Sequence, residues 1–223
     1  MADFALQSQA EVVLLPKDRR PDEHWLVEPV ACCVNAIDLA RIPAGARVAL
    51  VGSGFMGGIL LQLLASAPVS SIGVFELRPE SLRIAHAVQA RTPIEIYDLG
   101  AGPAPSSLEG RYDLVIETAG VEQAFLLANR LVRKGGTFVV FSKQSRPFSF
   151  DFANWHSRGI TVLNATPAAA PDFGRCFIQA VSLMQAGLVD LAPLVSHVAV
   201  SEAAAIGQLV INEIIREVDP IKA

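Results

Sequence analysis

Three glycines carry the clearest chemical signal in this sequence. Gly52, Gly54 and Gly57 form the run Gly52-Ser53-Gly54-Phe55-Met56-Gly57, directly after the apolar stretch Arg47 to Val51. An apolar segment with Met56, Leu60, Leu63, Leu64 and Ala67 at helical spacing follows. A glycine loop between a buried strand and a helix is a phosphate-binding arrangement. The first glycine permits a tight turn, the second lets backbone approach a pyrophosphate, and the third lets the helix pack close to the strand. The pyrophosphate then lies on unpaired amides at the helix N-terminus. Glu76 ends the next apolar stretch, about 20 residues on, where a carboxylate can accept hydrogen bonds from the adenosine ribose. A carboxylate there repels a 2′-phosphate, so the sequence favours NAD over NADP, and Arg78 next to it blurs that preference.

The elements that must position this loop follow from the surrounding pattern. Leu26 to Leu39 reads as an apolar helix and Arg47 to Val51 as a strand. Ser71 to Phe75, Ile94 to Tyr97, Tyr112 to Glu117, Gly136 to Phe141 and Ile160 to Asn164 read as further strands. Helices are expected at Pro79 to Gln89 and Val121 to Val132, with a loop from Gly100 to Gly110. Strands alternating with helices of this length imply right-handed crossovers and a parallel sheet covered on both faces. The expectation is therefore α/β: a Rossmann, doubly wound parallel sheet. Upstream, Glu11 to Leu15 reads as a short strand and Lys17 to Glu23 as a polar loop. After Pro167 the rhythm changes: Pro171 to Ala186 is an expected helix, His197 to Val200 a strand, and Ser201 to Glu217 a last amphipathic helix capped by Ser201. These are expected to form a different layer from the sheet.

Composition bounds the alternatives. The chain has 223 residues, 52% of them apolar and 18% charged, enough for a sizeable core. The net charge of −4 and scattered basic residues argue against a nucleic-acid partner. Apolar runs stop short of membrane-spanning length, and the N-terminus has no signal-peptide pattern, so a soluble, cytoplasmic protein is expected. The three cysteines, Cys32, Cys33 and Cys176, form neither a disulfide framework nor a C-x-x-C zinc pair. Cys32 and Cys33 point about 100° apart on a helix, and all three read best as small buried residues. None of the four histidines, His24, His86, His156 and His197, has metalloprotease spacing. His24 and His156, the latter after Trp155, are expected in loops.

Other candidates lie where strands end. Thr118, Ala119 and Gly120 follow the Tyr112 to Glu117 strand, at the edge where open α/β sheets bind ligands, and are expected to line a nicotinamide. Ser142 and Lys143 hold the same place after the next strand. A glycine-rich first loop with an acid after the second strand also suits a methyltransferase, although Gly57 favours the dinucleotide version.

Several segments together carry a family resemblance. Glu28-Pro29-Val30-Ala31-Cys32-Cys33-Val34-Asn35-Ala36 and the run from Pro43 to Gly54 are similar to the zinc-type medium-chain dehydrogenase/reductases, the sorbitol and threonine dehydrogenase branches above all. So are Tyr112 to Gly120, Lys134-Gly135-Gly136-Thr137, and Ser196-His197 with Val200 to Leu209. The resemblance implies hydride transfer between a secondary alcohol and the nicotinamide, with an alcohol or ketone as substrate and zinc as the polarising ion. It implies a homodimer or homotetramer joined through the Ile160 to Asn164 strand. It also implies a GroES-like catalytic domain, of which only remnants are expected at the two ends. The division expected is residues 1–35 as one remnant, 36–166 as the nucleotide domain and 167–223 as the return to the catalytic domain. The family's zinc-ligating Cys and Gly-His-Glu motif are not found in this sequence. Glu28 alone falls at a carboxylate ligand position of the sorbitol branch, and one carboxylate does not hold zinc. An enzyme seen as an N-terminally truncated chain and a non-catalytic NAD-binding module are therefore both open readings.

Overall fold

A computed structural model describes residues 12–17 and 22–195. Six parallel strands form one sheet in the order β3-β2-β1-β4-β5-β6. The strands are β1 (Arg47–Val51), β2 (Ser71–Glu76), β3 (Ile94–Asp98), β4 (Tyr112–Glu117), β5 (Val132–Val140) and β6 (Thr161–Asn164). The helices are α1 (Val27–Ala40), α2 (Phe55–Ala65), α3 (Pro79–Ala87), α4 (Glu122–Leu131), α5 (Phe152–Arg158) and α6 (Phe173–Gln185). This strand order, reversing direction between β1 and β4, is the Rossmann order.

Alternation along the strands builds two cores, because successive side chains leave opposite faces of a sheet. Val48 and Leu50 of β1, with Ile72, Val74, Leu114 and Ile116, join α1, α2 and α6 in one cluster. Ala49 and Val51, with Phe75, Val115 and Phe138, join α4 in the other. That second face is rich in rings: Phe125 of α4 meets Phe138, Phe148, Phe150 and Trp155 with centroids 5.0 to 5.8 Å apart. Gly73 is required by Tyr112, whose hydroxyl fills the space a Cβ would need.

Several boundaries differ from the sequence pattern. Residues 12–15 make no strand, and Leu14 is 87% exposed. A strand needs a neighbour to take its backbone groups, and among the described residues none is offered. Asp22–Trp25, at the end of the expected polar loop, is a 3-10 turn. The stretch holding Trp155 and His156 is not a loop but α5, capped by the Asp151 carboxylate on the Ala153 amide at 2.9 Å and ended by left-handed Gly159. β5 starts four residues early, at Val132, with a register shift and Gly135 at φ 67° before the regular ladder resumes. The boundary expected between residues 35 and 36 falls inside α1. α6 packs against α1 and shares its cluster, with Ala180, Val181 and Met184 in the core. Ser196, His197 and the expected elements from there to Glu217 lie outside the described residues.

At the sheet's other end, Asp113 ties three strands. Its carboxylate accepts the Arg47 amide at 2.8 Å and Arg133 Nε at 2.6 Å. Burial pushes Asp113 up, but the Arg133 and Arg47 hydrogen bonds outweigh it and hold the carboxyl below its ordinary value. A folded-state value below the unfolded one stabilises above the unfolded value, and that stability is lost as pH falls through the folded value. Asp113→Asn should therefore cost about 1 kcal/mol at pH 7. In urea titrations the gap from wild type should close as pH is taken below about 4, near the ordinary carboxylate value. A gap that is constant with pH would contradict this role.

Candidate functional site

The glycine loop lies where β1 passes the chain to α2, at the point where strand order reverses. Gly52 has φ 96°, a backbone region that glycine alone enters readily. A Cβ on Gly57 would run into the Gly52 carbonyl oxygen, so α2 rests on the turn with no side chain between them. The Thr118 hydroxyl crosses from β4, 3.1 Å from the Val51 carbonyl and 2.9 Å from that of Gly52. Gly54 precedes α2, and no side chain caps the helix. The first-turn amides of Phe55, Met56 and Gly57 have no acceptor within the helix, as in any helix N-terminus. They open onto a cleft of about 630 Å³. This volume is in the usual range for a small-ligand or cofactor site.

The expected cofactor residues divide by where their side chains go. Gly52, Gly54, Phe55, Met56 and Gly57 line the cleft, as do Glu76, Arg78, Thr118 and Ala119. Ser53, Gly120 and Ser142 do not line it. Ser53 is fully buried, and its hydroxyl proton is shared between Glu76 and the Ser81 carbonyl, at 3.2 and 3.0 Å. Gly120 is buried with φ 73°, against the Lys143 carbonyl. Ser142 donates its hydroxyl to Glu117.

Two acids at neighbouring strand ends hold these loops. Glu76 is 5% exposed. Its Oε2 accepts the Ser53 amide at 2.6 Å, and its Oε1 accepts the Leu77 and Arg78 amides at 2.8 and 2.9 Å. Glu117, fully buried, was not singled out from the sequence. Its Oε1 accepts the Ala119 and Gly120 amides, both at 2.8 Å, and its Oε2 takes Ser142 and, at 2.9 Å, Gln144. One side chain thus joins the β4 turn to the chain leaving β5. The available signal was a lone acid closing an apolar strand before Thr-Ala-Gly, at the place Glu76 holds on β2.

Arg78 is largely exposed, with Nε 3.9 Å from Glu76. Its Nη2 lies 2.8 Å from where a Gly54 Cβ would stand, placing the guanidinium over the glycine loop. The cleft thus offers free helix amides, a tight glycine turn and a cation, a set that fits the phosphates of a dinucleotide.

The metal expectation meets a different donor set. Glu28 is exposed on the first turn of α1 and accepts the Cys32 thiol at 3.1 Å. Burial first, and then the Glu28 hydrogen bond and charge, push Cys32 up to about 12, so it stays a thiol at neutral pH. Only the thiolate binds metal well. No three His, Cys, Asp or Glu side chains converge among the described residues. Those residues do not fit a zinc ion, which needs about three protein ligands. Cys33 and Cys176 are buried as expected, donating to the Met56 and Asp172 carbonyls at 3.6 and 3.7 Å, while Cys32 is half-buried. His86 and His156 are exposed on α3 and α5. His24 lies in the 3-10 turn before α1.

No family model matches the sequence. An L-threonine 3-dehydrogenase of Bacillus velezensis is 27% identical over 191 residues, 82% of this chain and 52% of its own length. The chain is similar to zinc-type medium-chain dehydrogenase/reductases. Among solved structures, galactitol-1-phosphate dehydrogenase of Escherichia coli has a TM-score of 0.74 at 22% identity, over 89% of this chain and 60% of that one. A Sinorhizobium meliloti 1021 protein assigned as a zinc-binding dehydrogenase and bound to NADP has a TM-score of 0.60 at 25% identity, over 78% and 56%. The chain spans about half the length of the curated proteins it matches. Among its described residues no helix is long and apolar enough to cross a membrane.

Glu117→Ala should leave two loop amides and two side-chain donors without their acceptor. Urea denaturation should show a loss of about 3 kcal/mol, against under about 0.5 for exposed Glu122→Ala. Equal, small losses would remove Glu117 from the site's framework.

Proposed function

We propose that this chain binds a nicotinamide dinucleotide and belongs to an oxidoreductase that transfers hydride between a secondary alcohol or polyol and the nicotinamide. The single observation behind the reading is the uncapped N-terminus of α2, opening at the β1–β4 switch point onto the cleft. The sequence similarity to threonine and polyol dehydrogenases supports the choice of substrate class.

The residues divide the work. Amides of Phe55, Met56 and Gly57 hold the pyrophosphate, with the helix dipole behind them. Glu76, at the ribose end of the cleft, favours NAD over NADP. Thr118, Ala119 and Gly120, fixed by Glu117, form the nicotinamide side, and Ser142 steadies that wall from β5. When bound, the nicotinamide supplies the hydride acceptor or donor. Homodimers or homotetramers joined along β6, in the reducing cytoplasm that three free cysteines suit, complete the reading.

A second reading has an observation in its favour. Among the described residues no three His, Cys, Asp or Glu side chains converge to hold a metal that would polarise a substrate carbonyl. A chain that holds NAD without turning over an alcohol, as a binding module, fits that fact.

Calorimetric titration should show NADH binding and no binding of S-adenosylmethionine. Gly57→Ala should weaken NADH at least about tenfold, because α2 must lift from the loop. A panel of secondary alcohols and polyols with NAD should give little or no turnover by this chain alone. A protein that binds S-adenosylmethionine and not NADH would be a methyltransferase. Efficient turnover would exclude the binding module.

A further inference from the structure

A second hollow lies at the opposite edge of the sheet from the glycine loop. It holds about 600 Å³ and shares no lining residue with the cofactor cleft. Thr137 and Thr161, the first paired residues of the β5–β6 ladder, form part of one wall. The cleft, by contrast, gathers where strands end. The other walls of the hollow are the C-terminal half of α1 and the first turns of α6.

A packed helix normally turns apolar residues toward its neighbours. Here polar stripes line the space between two helices. Asn35 and Asp38 stand at helical spacing on α1. Asp172, Arg175 and Gln179 follow the same spacing along α6 and its cap. Asn35 is buried, and its amide donates to the Thr166 carbonyl at 3.1 Å. Gln179 Oε1 is a buried acceptor with no hydrogen bond among the described residues. Such an atom costs free energy until a donor reaches it.

The charges narrow the ligand. Asp38 and Asp172 stand against Arg41 and Arg175, so the lining is neutral overall. None of the four makes an ion pair among the described residues. One Asp172 oxygen is occupied, accepting the Arg175 amide at 3.1 Å. α1 brings its C-terminal, partly negative end to the hollow together with Asp38. α6 brings its N-terminal, partly positive end together with Arg175. A neutral lining with separated poles suits a ligand of the same kind. A lone anion would meet two carboxylates, and a lone cation two guanidiniums. Among the described residues no aromatic ring lines the hollow to stack a base. No three His, Cys, Asp or Glu side chains converge there to hold a metal ion.

We propose that this hollow binds a free α-amino acid, with its ammonium on Asp38 and Gln179 Oε1 and its carboxylate on Arg175 and Arg41. The site is separate from the dinucleotide cleft and does not rest on that reading.

Calorimetric titration of the full chain with the common amino acids, each in turn, tests this. Butylamine, butyrate and xylitol serve as probes that carry one charge or none. At least one amino acid should bind with a Kd of about 1 mM or tighter, and at least about tenfold more tightly than any probe. Asp38→Asn and Arg175→Gln should each weaken it about tenfold or more. Both side chains are exposed, and thermal melting checks that the variants fold as wild type does. Saturating NADH should change the amino-acid affinity less than about threefold. Failure of every amino acid to bind overturns the proposal, as does a probe that binds as well as the best amino acid. Unaltered affinity in both variants, or displacement by NADH, overturns it too.

Discussion

The approach of α2 to β1 governs this structure. At Gly57 the helix backbone sits against the Gly52 carbonyl so closely that a single methyl group would push it away. With the helix seated there, its first-turn amides face the mouth of the cleft and Leu60, Leu61 and Leu64 reach the core beneath. Burying each of those side chains stabilises the fold by about 2 kcal/mol. The same packing that stabilises the domain therefore sets the direction in which the helix N-terminus points. Gly58 extends the requirement: its missing side chain makes room for Ile84 of α3 and for Leu194 beyond α6.

Once the helix is placed, two buried acids keep the loops around it from wandering. Glu76 and Glu117 close β2 and β4, the strands on either side of β1. Each turns its carboxylate back onto backbone amides that would otherwise be left unpaired at the strand ends. An unpaired buried amide costs about 1–3 kcal/mol, so the acids contribute structure before any ligand arrives. The fold thus places Glu76 beside the ligand cleft while directing its oxygens inward. Arg78, mostly exposed and lightly held, is the nearby charge free to respond to a ligand.

Much of this was legible in the sequence, and the parts that were not share a cause. β1, β4 and α2 announced themselves through long apolar runs, because a parallel sheet buried on both faces needs them. The glycine loop was legible because strand, turn and helix requirements coincide within a few residues. α5 was missed because seven residues are too few for helical periodicity to register, although Asp151 and Gly159 mark both of its ends. The strand expected at Glu11 to Leu15 had the right residue types, but strand formation depends on a partner that local pattern does not encode. Glu117 and the inward turn of Glu76 were invisible for a related reason. The sequence places a carboxylate at a strand end, while its hydrogen-bond partners come from loops elsewhere. Glu28 and Cys32 stand one helical turn apart, as their spacing requires, yet their contact is a protonated thiol on a carboxylate.

The account stands on the amides of α2's first turn as the anion-binding surface. Amide hydrogen exchange, read residue by residue with and without NADH, tests this most directly. The account predicts that NADH slows exchange at Phe55, Met56 and Gly57, and to a lesser degree at Ala119 and Gly120, while the sheet centre is unchanged. Bound NADH with unaltered exchange at those three amides, or with protection confined to another surface, would contradict it.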